Sequence, residues 1–247
     1  MFFNRRVGLI ATFLLAISVL HIEYSREARY YVYVVFFSLL FLNFVGRVWR
    51  QKKISDWLGL IVSGILSVLS HLTTLLFLAI VIFFGLATGV KGKVVKPTGR
   101  FAGLILIAVL ATGHYLTSYL GLFKSVNFDH STDFTRTGWY VLTELAGGGS
   151  WRATGYFFLF LLGLFLIIKE SKRRAVFWAT LFFAPVIVLS FFRPEGYGFH
   201  VRYVIFVLPI YLLVIARVLY YLKSLGREEI GWRERFWLFW GWQRSDQ

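Results

Sequence analysis

The chain has 247 residues, of which 58% are hydrophobic and 20% aromatic, with a mean hydropathy of +0.68. A soluble domain of this size could not hold so much apolar surface away from water, which makes lipid the expected solvent. The formal charge of +15 does not point to nucleic acid, because the cations sit in short clusters between apolar runs, as in a multi-spanning protein that follows the positive-inside rule. With no cysteine, disulfides and thiolate metal sites are excluded and the redox compartment is not legible.

A helix needs about 20 residues to cross about 30 Å of hydrocarbon. By that measure the expected spans are roughly 7–22, 30–46, 57–71, 73–90, 101–119, 155–168, 175–192 and 203–222. The first follows Arg5-Arg6 and could be a signal peptide, but no small-residue cleavage site precedes Glu23, so it is taken as a retained span. Trp57 to Val90 contains no charge and would make a single helix about 51 Å long, too long for one crossing. Ser70-His71-Leu72-Thr73-Thr74 interrupts that run near its middle, which predicts two short helices joined by a tight turn. The plain structural role for His71 is a histidine at that turn, bonded to Ser70 or Thr74.

Charge parity supports this division. With about eight spans and both termini cytoplasmic, most of the 27 lysines and arginines lie inside, in the clusters around Arg5, Arg47, Lys93, Arg173 and the C-terminal tail. One span over 57–90 would reverse much of that sorting. The fold class is therefore an all-α polytopic bundle, with residues 1–222 as the transmembrane domain and 223–247 as a cytoplasmic tail. In that tail Trp232, Phe236, Phe239 and Trp240 suggest an amphipathic anchor on the membrane surface.

All five histidines (His21, His71, His114, His130 and His200) then fall at or near the outer face, as do Glu23, Glu27, Asp129, Asp133, Glu144 and Glu195. Three outer segments could build a site. The first, His21 to Tyr30, packs two carboxylates, two guanidiniums, an imidazole and two phenols between apolar runs, which is costly unless they face water, a ligand or a partner. The second is the long loop 120–154, where Trp139, Tyr140, Leu142 and Leu145 suggest an interfacial helix. Its Asp129-His130 and Asp133 have a spacing that could hold a metal, although short polar loops show this by chance. Trp139 and Trp151 suit the aromatic belt better than a sugar platform. The third segment runs from Arg193 to Tyr203.

His21-Ile22-Glu23-Tyr24-Ser25-Arg26-Glu27-Ala28-Arg29-Tyr30 resembles a recurring stretch of the polyprenyl-phosphate-sugar-dependent membrane glycosyltransferases, the type-C fold group that includes protein O-mannosyltransferases and the lipid A aminoarabinose transferase. Two weaker similarities accompany it: a helix ending in Ser70-His71 with another directly after, and Arg202-Tyr203 followed by Leu208-Pro209 near the start of the last span. Together they cover about residues 5–222. Family members begin with an extra span and an outer loop bearing an Asp or Asp/Glu pair. Nothing upstream of Arg5 supplies these, so the resemblance implies an N-terminally shortened chain, with a partner polypeptide contributing the missing part.

The implied activity transfers a sugar from a polyprenyl-phosphate donor to an acceptor on the extracytoplasmic face of the plasma (inner) membrane. It requires a carboxylate base and cations, or a divalent metal, to neutralise the departing phosphate. Carried onto this sequence, Glu27 and Glu23 are the candidate catalytic carboxylates. Arg29, Arg26, Tyr30, His71, His200, Arg202 and Tyr203 are the candidate substrate-binding residues, and no metal ligand is assigned. Each has a plainer alternative: an ion pair capping the second span for Glu27 and Arg29, a solvated neighbour for Glu23, an interface anchor for Arg202. A lipid-sugar flippase would place ionisable groups near mid-bilayer, where these spans are nearly clean. A non-catalytic scaffold subunit is the third alternative.

Overall fold

A computed structural model describes residues 4–27, 30–51, 53–88, 134–191 and 200–225. Of these, 89% are helical and none lies in a strand, so the described chain is all-α as expected. In order the helices are α1 (Arg5–Ala16), α2 (Val19–Arg26), α3 (Tyr31–Gln51), α4 (Ile54–Ser70), α5 (Thr74–Thr88), α6 (Phe134–Leu145), α7 (Ser150–Glu170), α8 (Lys172–Phe191) and, after a 3-10 turn at Val201–Val204, α9 (Val207–Leu225). The expected span 101–119, the Asp129–Asp133 cluster, His114, Glu195 and the tail beyond 225 lie outside the described residues, as do Ala28 and Arg29.

Among the described residues three helices are long and apolar enough to cross a membrane: Tyr31–Val48 within α3, Ser150–Glu170 and Val207–Ser224. Helix α7 shows why lipid must surround them. Phe160, Gly163, Leu164 and Ile167 face the core, while Phe158, Leu161, Phe165 and Ile168 form an equally apolar stripe on the exposed side. A helix that is hydrophobic all round cannot face water. This is a helical membrane protein.

The expected first span is not one straight helix. Helices α1 and α2 meet at a 58° bend at Ile17–Ser18, so together they make at most one broken crossing. Asn4 starts α1 by accepting the Val7 amide on Oδ1 at 2.8 Å. The bend needs no glycine or proline. Continuing α1 straight on would carry His21, Glu23 and Arg26 along the same apolar track, whereas the bend leaves Glu23 and Arg26 exposed. The uncharged run 57–90 is divided as expected into α4 and α5, of 17 and 15 residues, with His71-Leu72-Thr73 between them.

Helix α9 is the centre of the bundle, packed against α1, α7 and α8. Val207, Leu208, Ile210, Tyr211, Val214 and Val218 are fully buried on it. Phe160 of α7 and Phe182 of α8 close on Tyr211, with ring centroids 5.1 and 5.2 Å away. Helices α7 and α9 come together at Gly163, where an added Cβ would run into the Val214 carbonyl oxygen. A second tight pair is α3 with α4. There the Phe44 ring fills the space beside Gly59, and Ser38 and Ser67, both buried, lie 3.2 Å apart at their hydroxyls. Small residues and hydroxyl pairs at helix contacts are how apolar helices associate where lipid offers no hydrophobic gain.

The antiparallel arrangement separates two ends. At one, Arg47 Nε meets the fully buried Asp56 at 2.7 Å. Glu170 at the close of α7 bonds Arg217 of α9 and lies 3.4 Å from Arg174 of α8. These pairs tie neighbouring helix ends in a region dominated by cations. The other end gathers Tyr24, Tyr30, Tyr31, His71, Tyr140, His200, Arg202 and Tyr203.

Because the atom facing Gly163 is backbone, Gly163→Ala must push α7 and α9 apart, at a cost of about 1–3 kcal/mol. Gly155→Ala, on the same helix with open space around its Cβ, serves as the control. Thermal unfolding in detergent should show a clear loss for the first and none for the second.

Candidate functional site

Three connections that join helices come together at the tyrosine-rich end. The short 27–30 link places Tyr30 and Tyr31 at the head of α3, and burial of Tyr31 to 2% exposure fixes it there. Their hydroxyls lie 3.3 Å apart, and the Tyr31 ring meets Tyr24 of α2 at 5.0 Å. The α4–α5 turn supplies His71, whose ring lies 5.5 Å from Tyr30 and 6.1 Å from Tyr31. The 3-10 turn before α9 supplies Tyr203, 6.0 Å from His71 and 5.9 Å from His200, with the Arg202 guanidinium 5.5 Å over its ring.

Arg202 is the charge this aromatic wall surrounds. Its Nε is buried and has no hydrogen-bond partner. Burial works against its charge, but a hydrogen bond with Tyr203 and the nearby phenols of Tyr31, Tyr203 and Tyr24 outweigh it and raise its pKa. Tyr24 lies within electrostatic reach of Arg202, Glu27, Tyr140 and Glu144, so α2, α6 and the 3-10 turn all contribute to this end. Helix α6 presses Thr137, Val141 and Leu145 into the bundle while Trp139 and Tyr140 remain exposed. A helix thus forms where the sequence suggested one. Gly147, Gly148 and Gly149, all at positive φ, turn the chain from α6 into α7. Gly147 does so against Val19, where an added Cβ would come within 3.1 Å.

The cluster therefore unites Tyr30, His71, His200, Arg202 and Tyr203, with Glu27 beside it through Tyr24. Glu23 and Arg26 stand on the exposed side of α2, and Arg29 lies outside the described residues. Tyr31 and Tyr140 belong to the cluster although neither was among the candidate site residues; the signal for Tyr31 was the Tyr30-Tyr31 pair ahead of an apolar run.

Burial and the Tyr31 hydroxyl push Tyr30 up to about 12, and burial followed by Glu144 raises Tyr140. Burial, then the charge of Arg202, pushes His71 down to about 4. At neutral pH these phenols stay protonated and this imidazole stays neutral. They can stack and hydrogen-bond. No group of three or more metal-ligating side chains lies together among the described residues.

No family model, curated protein or solved structure matches the chain. The class defined by the coordinates is a helical membrane protein with an arginine-centred aromatic site at one end of its bundle.

The histidine also sets a pH dependence. Its ordinary pKa is 6.5 and its folded pKa about 4, so folding favours the neutral form. That contribution is complete above about pH 6.5 and is lost as the pH falls towards about 4. Across this window the melting temperature of the wild type should fall more steeply than that of His71→Asn, measured in the same detergent; parallel curves would exclude it.

Proposed function

We propose that this protein is a membrane glycosyltransferase, or the membrane part of one, that takes a sugar from a polyprenyl-phosphate donor. The observation that carries this reading is Arg202: a cation with an unpartnered buried Nε, walled by tyrosines, at the same bundle end as Glu27. A guanidinium suits a phosphate because its planar fork offers paired N–H donors. Tyrosine rings offer faces for sugar C–H groups and hydroxyls for sugar oxygens.

The chemistry follows from that placement. An acceptor hydroxyl attacks the anomeric carbon while the bond from that carbon to the phosphate oxygen breaks. The lipid phosphate leaves with the bonding electron pair, and Arg202 balances the charge it gains. A carboxylate takes the acceptor's proton; of the two proposed from the sequence, Glu27 is the one that acts electrostatically on Tyr24 of the cluster. The remaining members of the type-C reading, an eight-span arrangement and an extracytoplasmic active face, belong to the same proposal. Helix ends near headgroup depth fit it, because a donor anchored by its tail in the bilayer holds its scissile bond there.

The test uses the protein in nanodiscs with short-chain polyprenyl-phosphate pentoses and hexoses, reading release of polyprenyl phosphate. Removing a charge-assisted bond to phosphate costs about 1.5–3 kcal/mol, so Arg202→Ala should lower turnover by about 10- to 100-fold, with Arg202→Lys recovering part of it. Glu27→Gln and Arg29→Ala should reduce turnover without reducing expression. Full function in all of these variants would mark a scaffold, and the transferase reading would fall.

A further inference from the structure

The α4–α5 turn specifies more than the position of His71; it specifies which of its nitrogens carries the proton. The Thr73 backbone N–H donates to His71 Nδ1 at 3.3 Å, and the Thr73 hydroxyl lies 2.7 Å from the same atom. A backbone amide can only donate, so Nδ1 must present its lone pair, and the proton of the neutral ring is on Nε2. The turn itself is held by the His71 carbonyl, which accepts from the Thr74 hydroxyl at 2.7 Å and the Thr74 amide at 3.1 Å. Ring and backbone are therefore both anchored by the turn, the ring through Nδ1.

Tyr30, Tyr31 and Tyr203 lie around the His71 ring, and the charge that acts on it is that of Arg202. His71 and Arg202 both pack on the Tyr203 ring. A ring whose lone pair is engaged by Thr73 is a poor base, and it cannot ligate a metal through Nε2 without losing a second proton. What it can do is donate.

We infer that His71 is a neutral hydrogen-bond donor of the site, presenting Nε2–H beside the Arg202 guanidinium to an anionic phosphate oxygen, with Thr73 as the positioning residue that fixes this tautomer. The inference rests on the phosphate-binding part of the function proposed above and adds a second donor to it. It assigns His71 neither the role of base nor that of metal ligand. The ligand chemistry is a phosphate monoester or diester oxygen, whether carried by a lipid or free in solution.

The experiment is nitrogen NMR on the full chain in nanodiscs with 15N-labelled imidazoles, the His71 signals being assigned by their loss in His71→Asn. The ligand-free protein should show a protonated Nε2 and an unprotonated Nδ1 at His71, unchanged from about pH 8 to about pH 5.5. Adding farnesyl phosphate should shift the Nε2–H resonance without changing the tautomer; inorganic phosphate is the parallel arm, and zinc ion the control. His71→Asn keeps an acceptor for the Thr73 amide and loses the far donor, so it should fold yet need about tenfold more farnesyl phosphate for half-saturation. His71→Gln, whose longer amide reaches towards the Nε2 position, should recover part of that loss.

A proton on Nδ1, titration near the ordinary histidine value, or a response to zinc but to neither phosphate would overturn the inference. So would the expected tautomer with no response to any phosphate. A response to inorganic phosphate but not to farnesyl phosphate would keep His71 as a phosphate donor while removing the lipid-linked substrate. The two proposals can therefore fail separately.

Discussion

The constraint on which the bundle depends is the backbone contact of α7 with α9 at Gly163 and Val214. Without a side chain at Gly163 the two backbones come together, and α9 can be buried around almost its whole circumference. In lipid this close packing supplies the association energy that hydrophobic transfer supplies in water. Its consequence is felt at the start of the helix. The 3-10 turn runs directly into α9, with Val204, Ile205 and Phe206 buried at 0–1% exposure, so Arg202 and Tyr203 are mounted on the most rigid element of the bundle. A charged side chain there costs little conformational entropy when it meets a ligand, because the backbone carrying it is already fixed.

The two ends of the bundle treat charge differently. At the basic end the described carboxylates Asp56 and Glu170 meet arginines of neighbouring helices and act as ties between α3 and α4 and among α7, α8 and α9. Of these only Asp56 is fully buried, so removing Arg47 would leave its carboxylate without water to turn to. At the tyrosine-rich end the polar groups come from helix termini and turns, where backbone amides and carbonyls must find partners anyway. The α4–α5 turn illustrates the point: the same four residues satisfy the end of α4, start α5 and orient an imidazole.

Much of this was legible in the sequence, for physical reasons. Span length and uniform apolarity identify α3, α7 and α9, because crossing a bilayer leaves few alternatives. The break at His71 was legible because an uncharged run longer than the membrane must turn at its most polar point. The bend at Ile17–Ser18 was not legible, since neither a glycine nor a proline marks it and an apolar helix could equally have continued. For the site, the density of ionisable groups at 21–30 pointed to the right region, yet it could not show which side chains face inward. Glu23 and Arg26 lie on the exposed side of a short helix, a matter of rotation fixed only by packing. The expected partners of His71 were Ser70 and Thr74; the side-chain partner is Thr73, while Thr74 holds the His71 carbonyl instead. Hydrogen-bond choice within a four-residue turn depends on backbone angles that composition does not encode.

The division of labour at the site follows from where protons can reside. Burial holds Tyr30 protonated and His71 neutral, and both conditions favour donation over abstraction. Arg202 and the tyrosine hydroxyls can donate to acceptors, and phosphate and sugar oxygens are acceptors. Under the proposed function the base is a carboxylate at the margin of the cluster, where Glu27 caps α2 and Glu144 stands on α6. In the proposed transferase the leaving group and the acceptor would thus be met by different elements, the first by turns anchored in the core and the second by the short helices at its edge.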